Sequence, residues 1–253
     1  MGDAANSTRL PLRARALRLI EMALVFFVPP TIAAALVDPE QRAGPIFSTL
    51  GVDRIITLPV PLRGLVFPSL VIYALPMLII LVRDAGFDRS RLWNARGFVL
   101  DAERLLAVFL VGAVVLVGVS YAFSLAGILP ENGLFRLPRE EPTIAKMILL
   151  LYPWFSVYPQ ELSHRVFFFH RYRHALGPAW VAITVNAALF AWLHAVFWNP
   201  YALAMTFIGG LLFAWTYLKT RSGFAVTVEH WLFGWWAFMT GAGWFVFAGS
   251  VGN

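Results

Sequence analysis

Cysteine is absent from this chain of 253 residues, which removes disulfides, thiolate nucleophiles and cysteine-held metals at once and leaves the redox compartment undetermined. Charge is scarce as well: Asp, Glu, Lys and Arg make up 13% of the residues, about half of what a soluble domain carries, against 59% hydrophobic residues and a mean hydropathy of +0.70. The chain therefore reads as a polytopic membrane protein. Any catalysis rests on His, Glu, Asp or Ser. No repeat of 20 to 50 residues and no low-complexity tract occurs, so one helical membrane domain is expected over 17–253, behind a basic segment, 1–16. That N-terminus lacks a cleavage pattern after its long apolar run, and Asn6 stands where a myristoylation motif needs Ser or Thr, so the first helix is expected to be retained.

What is present is aromatic and basic. Ten Trp and 22 Phe suit helices that end in interfacial belts. The net charge of +6 is read as setting orientation and lipid contact, with no nucleic acid as partner. Apolar runs predict about seven transmembrane helices: Leu17 to Val37, kinked at Pro29-Pro30; Gly64 to Val82; Leu105 to Leu129, where Gly112 and Gly118 allow close approach; a fourth from Thr143; a fifth from the Gly177-Pro178 turn to Phe197; a sixth to Leu218; and a seventh from Phe224 to Ala248. Polar loops are expected over 38–63 and 131–142. Basic clusters fall before the first span and after the second, fourth and sixth, which is one side if the spans alternate; the positive-inside rule then puts the N-terminus in and the C-terminus out.

Against that background a few ionisable residues stand out. Glu161 and Arg165 lie four apart in the apolar run YPQELSHRVFFF, and an intramembrane carboxylate is costly unless it is paired or faces water. The pair reads either as a functional site or as a helical ion pair bracing the packing. His194 and His230 are each deep in apolar sequence. Glu161 is 16 residues before Gly177 and His194 is 16 after Pro178, so helix rise places them at one depth. His230, nine residues past Arg221, and Glu161, ten before Arg171, both sit roughly 14 Å from a basic anchor. One polar layer in the cytosolic half of the bilayer follows. A carboxylate and two imidazoles there can activate water and stabilise an oxyanion, or hold a divalent metal ion such as zinc. His170 and His174 are interleaved with Arg171 and Arg173, whose charge repels a cation, and no H-E-x-x-H motif is present.

Three stretches, Q-E-L-S-H-R (160–165), F-A-W-L-H (190–194) and H-W-L-F-G (230–234), together resemble the CAAX-protease and bacteriocin-processing (CPBP, or Abi) family of intramembrane endopeptidases, whose motifs are E-E-x-x-x-R, F-x-x-x-H and H-x-x-x-N. The resemblance covers about residues 146–247. It implies a glutamate and the second-motif His activating water, with the third-motif His and Asn holding the oxyanion, and it matches Glu161, Arg165, His194 and His230. Gln160 and Gly234 depart from it, standing where the family has its first Glu and its Asn. A Gln amide cannot act as a base, so Gln160 is expected to assist by orienting water. Glu161 takes the base's place, with Glu229 as another carboxylate about 100° around the helix from His230, and Asn186 is a candidate for the missing Asn. The expectation is an endopeptidase acting on a membrane-associated protein or peptide at the cytosolic side of a bacterial inner membrane. The alternative is a catalytically inactive relative serving as scaffold or binding protein, and a small transporter is a third reading.

Overall fold

The computed structural model describes residues 11–36, 66–129 and 132–246, and among them every regular element is helical. In chain order the helices are α1 (Leu12–Phe26), α2 (Val28–Leu36), α3 (Val66–Arg83), α4 (Ala95–Val99), α5 (Ala102–Leu125), α6 (Arg136–Glu140), α7 (Pro142–Tyr152), α8 (Tyr158–Glu161), α9 (Phe168–Leu176), α10 (Ala179–Leu193), α11 (Pro200–Thr220) and α12 (Gly223–Thr240). π-helical segments at Pro153–Val157 and Leu162–Phe167 flank α8, and a 3₁₀ turn at His194–Phe197 ends α10. The expected loop over 38–63, residues 1–10 of the basic segment and the end of the seventh span beyond 246 lie outside the described residues.

Four helical stretches are long and apolar enough to cross a bilayer: Leu12–Ala35, Ala102–Leu125, Ala179–Phe197 and Pro200–Thr220, with Phe67–Arg83 apolar but shorter. The protein is thus an all-helical integral membrane protein. The stretches read as fourth and seventh spans are helical too, but α7 to α9 is interrupted by the π segments and α12 carries Glu229 and His230. Polar residues and irregular backbone are what keep these two out of the long apolar class.

The chain divides into two compact units, Met1–Val60 with Phe167–Ala214, and Pro61–Val166 with Trp215–Asn253. In the first, the helix breaks at Phe27 because Pro29 and Pro30 cannot donate to the carbonyls four residues back. Phe26, fully buried, packs edge-on against Phe168 and Tyr172. Glu21 pairs with Arg171 and accepts the Tyr172 hydroxyl at 3.0 Å, which fastens α1 to α9. Gly177 turns the chain at φ +85°, as the Gly-Pro signal predicts. Asn199 caps α11, its side-chain oxygen accepting from the Tyr201 N–H at 2.8 Å.

In the second unit, α5 packs on α12, and a Cβ at Gly112 would run into the Phe233 ring, as a close-approach glycine should. Gly118, expected to do the same, meets nothing within 4 Å. It faces away from the packed side. Ser222 caps α12, accepting from Ala225 N–H at 2.9 Å while donating to the Asn94 carbonyl at 2.7 Å.

At the head of α5, Asp101 accepts from Arg104 at 2.6 Å and pairs with Lys219 at 2.8 Å. Partial burial alone would raise its pKa, but these two cations outweigh that and hold it below the ordinary 3.8. A carboxyl with a lowered folded pKa stabilises the protein above its unfolded pKa, and the contribution is lost as pH falls through the folded value. Asp101→Asn should therefore lower the thermal midpoint at pH 7, with a deficit that shrinks below about pH 4. A deficit equal at pH 7 and pH 3 in detergent melts would contradict this.

Candidate active site

The polypeptide that carries Glu161 departs from ideal helix for reasons visible in its residues. Pro153 has no N–H for the Leu149 carbonyl, and the indole of Trp231 on α12 donates to that carbonyl instead, at 3.2 Å. Pro159 removes a second donor six residues later, and the Ser163 hydroxyl bonds back to the Pro159 carbonyl at 2.8 Å. Both prolines lie in or beside the π-helical stretches, a backbone form concentrated at functional sites.

Within this unit the backbone brings Glu161 against His230. Glu161 and Arg165 are both 0% exposed, which leaves no solvent to offset their charges. Arg165 Nε stands 3.3 Å from Glu161 Oε2, and Glu161 Oε1 accepts from His230 Nδ1 at 2.8 Å. A carboxylate only accepts, so Nδ1 carries the proton and the imidazole lone pair is on Nε2. The other face of that ring meets Tyr152, whose Oη is 3.3 Å from His230 Nε2 and whose ring packs edge-on against His230 and Phe238. Glu161, His230 and Tyr152 form a hydrogen-bonded row.

Gln160, beside Glu161, donates its amide to Ser156 Oγ at 2.9 Å, while its buried Oε1 has no hydrogen-bond partner among the described residues. Glu229 turns elsewhere, as its helical position requires: it faces Arg104 Nη1 at 3.9 Å, away from the imidazole next to it in sequence. Sequence reasoning missed Tyr152. The signal available was Gly234, since a glycine in a family asparagine position leaves room that something must fill. A Cβ at Gly234 would lie 2.5 Å from Tyr152 Oη and 2.7 Å from Cε1, so the phenol occupies the room the missing side chain leaves.

His194 and Asn186 belong to the other unit. There His194 Nδ1 donates to the Phe190 carbonyl at 2.8 Å, which again leaves the lone pair on Nε2, and its ring packs on Phe190. Asn186 is buried in α10.

No group of three or more His, Asp or Glu side chains among the described residues is placed to hold a metal ion. Glu161 and His230 offer two donors, and the Arg165 guanidinium already engages the same carboxylate. This donor set does not fit zinc, which in catalytic sites takes three protein ligands.

An apolar helical protein with a buried Arg–Glu–His row that continues to Tyr152 defines a class, a membrane protein with ionisable chemistry built into one of its units. Residues 142–236 match the family model described as type II CAAX prenyl endopeptidase Rce1-like. That stretch, which includes Gln160, Glu161, Arg165, His194, His230 and Gly234, is similar to the CAAX-endopeptidase type that the three motifs resemble, and that family implies a protease. No curated protein and no solved structure matches the chain.

Proposed function

We propose that this protein is an intramembrane endopeptidase that hydrolyses peptide bonds of a membrane-associated protein or peptide, near the cytosolic side of a bacterial inner membrane. The observation that carries the reading is the 2.8 Å hydrogen bond from His230 Nδ1 to the buried Glu161 carboxylate. The motifs assign water activation to Glu161 and His194 and the oxyanion to His230, while both Glu161 oxygens are engaged, one by His230 and one by Arg165. The geometry supports a different division of labour. Glu161 fixes the imidazole tautomer and stabilises the imidazolium that forms, Arg165 holds Glu161, and His230 Nε2 takes the proton from water, the arrangement that lets a carboxylate–histidine pair act as general base. The free acceptor of Gln160 helps to orient that water. His194 has a part by its F-x-x-x-H motif alone, as a second imidazole with its lone pair on Nε2.

The reaction adds water oxygen to the peptide carbonyl carbon, with its proton passing to His230 Nε2. The tetrahedral intermediate then expels the amine, which takes that proton back. The four basic clusters support the seven-span layout with the N-terminus inside. A reporter fused after residue 92 should then read cytosolic, and a periplasmic signal would reverse the orientation. The function itself is tested with a quenched fluorescent peptide ending in a prenylated CAAX sequence, incubated with the purified full chain and with its Glu161→Gln, His194→Ala and His230→Ala variants. Cleavage by wild type and its loss in the variants is the expected result; equal cleavage by all four would take the chemistry off these residues, and no cleavage by any of them would leave a binding protein.

A further inference from the structure

The hydrolytic reading leaves the developing oxyanion in the second unit without a donor, because Gly234 has no side chain to give one. Resting on that reading, we propose that Tyr152 is a catalytic residue whose phenolic hydroxyl donates the hydrogen bond that stabilises the oxyanion.

Three observations converge on it. Tyr152 Oη lies 3.3 Å from His230 Nε2, so the O–H donor and the base stand side by side. The attacking oxygen and the oxyanion of a tetrahedral intermediate share one carbon, and base and donor must therefore be neighbours. Second, the phenol fills the room beside His230 that a side chain at position 234 would need, with Oη the atom nearest to a would-be Cβ. Gly234 and Tyr152 are thus alternatives for one volume. Third, the ring is held by edge-on contacts to His230 and Phe238, so its hydroxyl oxygen is in place before substrate arrives and only the O–H has to turn. That preorganisation is what makes an oxyanion donor effective in a water-poor site.

In the resting protein the hydroxyl donates to the Nε2 lone pair. When the carbonyl carbon is attacked, the C–O bond forms, the π electrons move onto the carbonyl oxygen, water's proton goes to Nε2, and Tyr152 O–H swings its hydrogen bond from Nε2 to the new oxyanion. On collapse the electron pair returns, the C–N bond breaks, and the amine takes the proton from Nε2. Tyr152 keeps its own proton throughout and no further reactant is needed.

The test compares wild type, Tyr152→Phe, and the pair Tyr152→Ala and Tyr152→Ala/Gly234→Asn on the prenylated peptide probe, with His230→Ala as control. Tyr152→Phe retains the ring packing and removes one oxygen. It should lower kcat about 10²- to 10³-fold with KM and thermal midpoint close to wild type. Tyr152→Ala should be as slow, and adding Gly234→Asn in the vacated space should recover at least tenfold, while Gly234→Asn alone, which clashes with the phenol, should not gain. Tyr152→Phe within threefold of wild-type kcat, or a loss confined to KM, overturns the proposal. If wild type does not cleave the probe, the endopeptidase reading falls first and takes this role with it; if His230→Ala cleaves it as well as wild type, the base beside Tyr152 is lost and the proposal is overturned.

Discussion

Replacing His230 by alanine is expected to lower kcat by about 10²- to 10⁴-fold, the range that one positioned general base contributes. The alanine variant alone is ambiguous, because it also strips Glu161 Oε1 of the N–H at 2.8 Å, and an unsatisfied buried acceptor costs about 1–3 kcal/mol. His230→Asn separates the two effects. Its amide N–H can stand where Nδ1 stands, preserving the bond to Glu161, while it offers no basic nitrogen in place of Nε2. A folded His230→Asn protein as slow as His230→Ala places the loss in proton transfer. Added imidazole should restore part of the rate to His230→Ala and none to His230→Asn, where the space stays filled. Either variant cleaving within threefold of wild type would remove His230 from the chemistry.

Arg165→Met should have the largest effect on stability. The guanidinium is 0% exposed and stands 3.3 Å from a carboxylate that is also fully buried, so its removal strands the Glu161 charge. Breaking a buried pair from one side costs about 3–5 kcal/mol, because the uncompensated partner stays behind. For a chain of this size that corresponds to a fall in the thermal midpoint of roughly 6–20 °C. Removing both charges, as Glu161→Gln/Arg165→Met, should recover much of the lost stability and none of the activity. Detergent melts of the single and double variants decide the matter: a single variant within about 2 °C of wild type would mean that Arg165 does not compensate Glu161.

Much of this site was legible from residue type and spacing, for a physical reason. Charges in an apolar run are so costly that Glu161, Arg165 and His230 announce themselves, and the first and last of these do meet. The helices too were readable, since hydropathy alone marks α1–α2, α5, α10 and α11. What escaped were features whose cause is packing. Gly118 carries the same small-residue signal as Gly112, yet only Gly112 faces a neighbour's ring. Tyr152 sits among Leu149, Leu150, Leu151 and Pro153 and reads as one more interfacial aromatic. Its relation to His230, 78 residues further on, depends on contact between α7 and α12 and on a glycine whose significance is the atom it lacks.

The π-helical stretch at Pro153–Val157 has an angular consequence. Tyr152 and Glu161 are nine residues apart, and nine steps of ideal α-helix amount to about 900°, two and a half turns, which would put them on opposite sides of the helix. A π turn absorbs one additional residue, so the phase between them becomes that of about eight steps, near 80°, and both side chains can address the same imidazole. The widened turn is therefore an angular setting for the row of polar groups. Between positions 152 and 161, regularising the π turn to α-helix with every residue kept would act as a rotation of roughly a quarter turn, separating the hydroxyl from the carboxylate while leaving every side chain of the row unchanged.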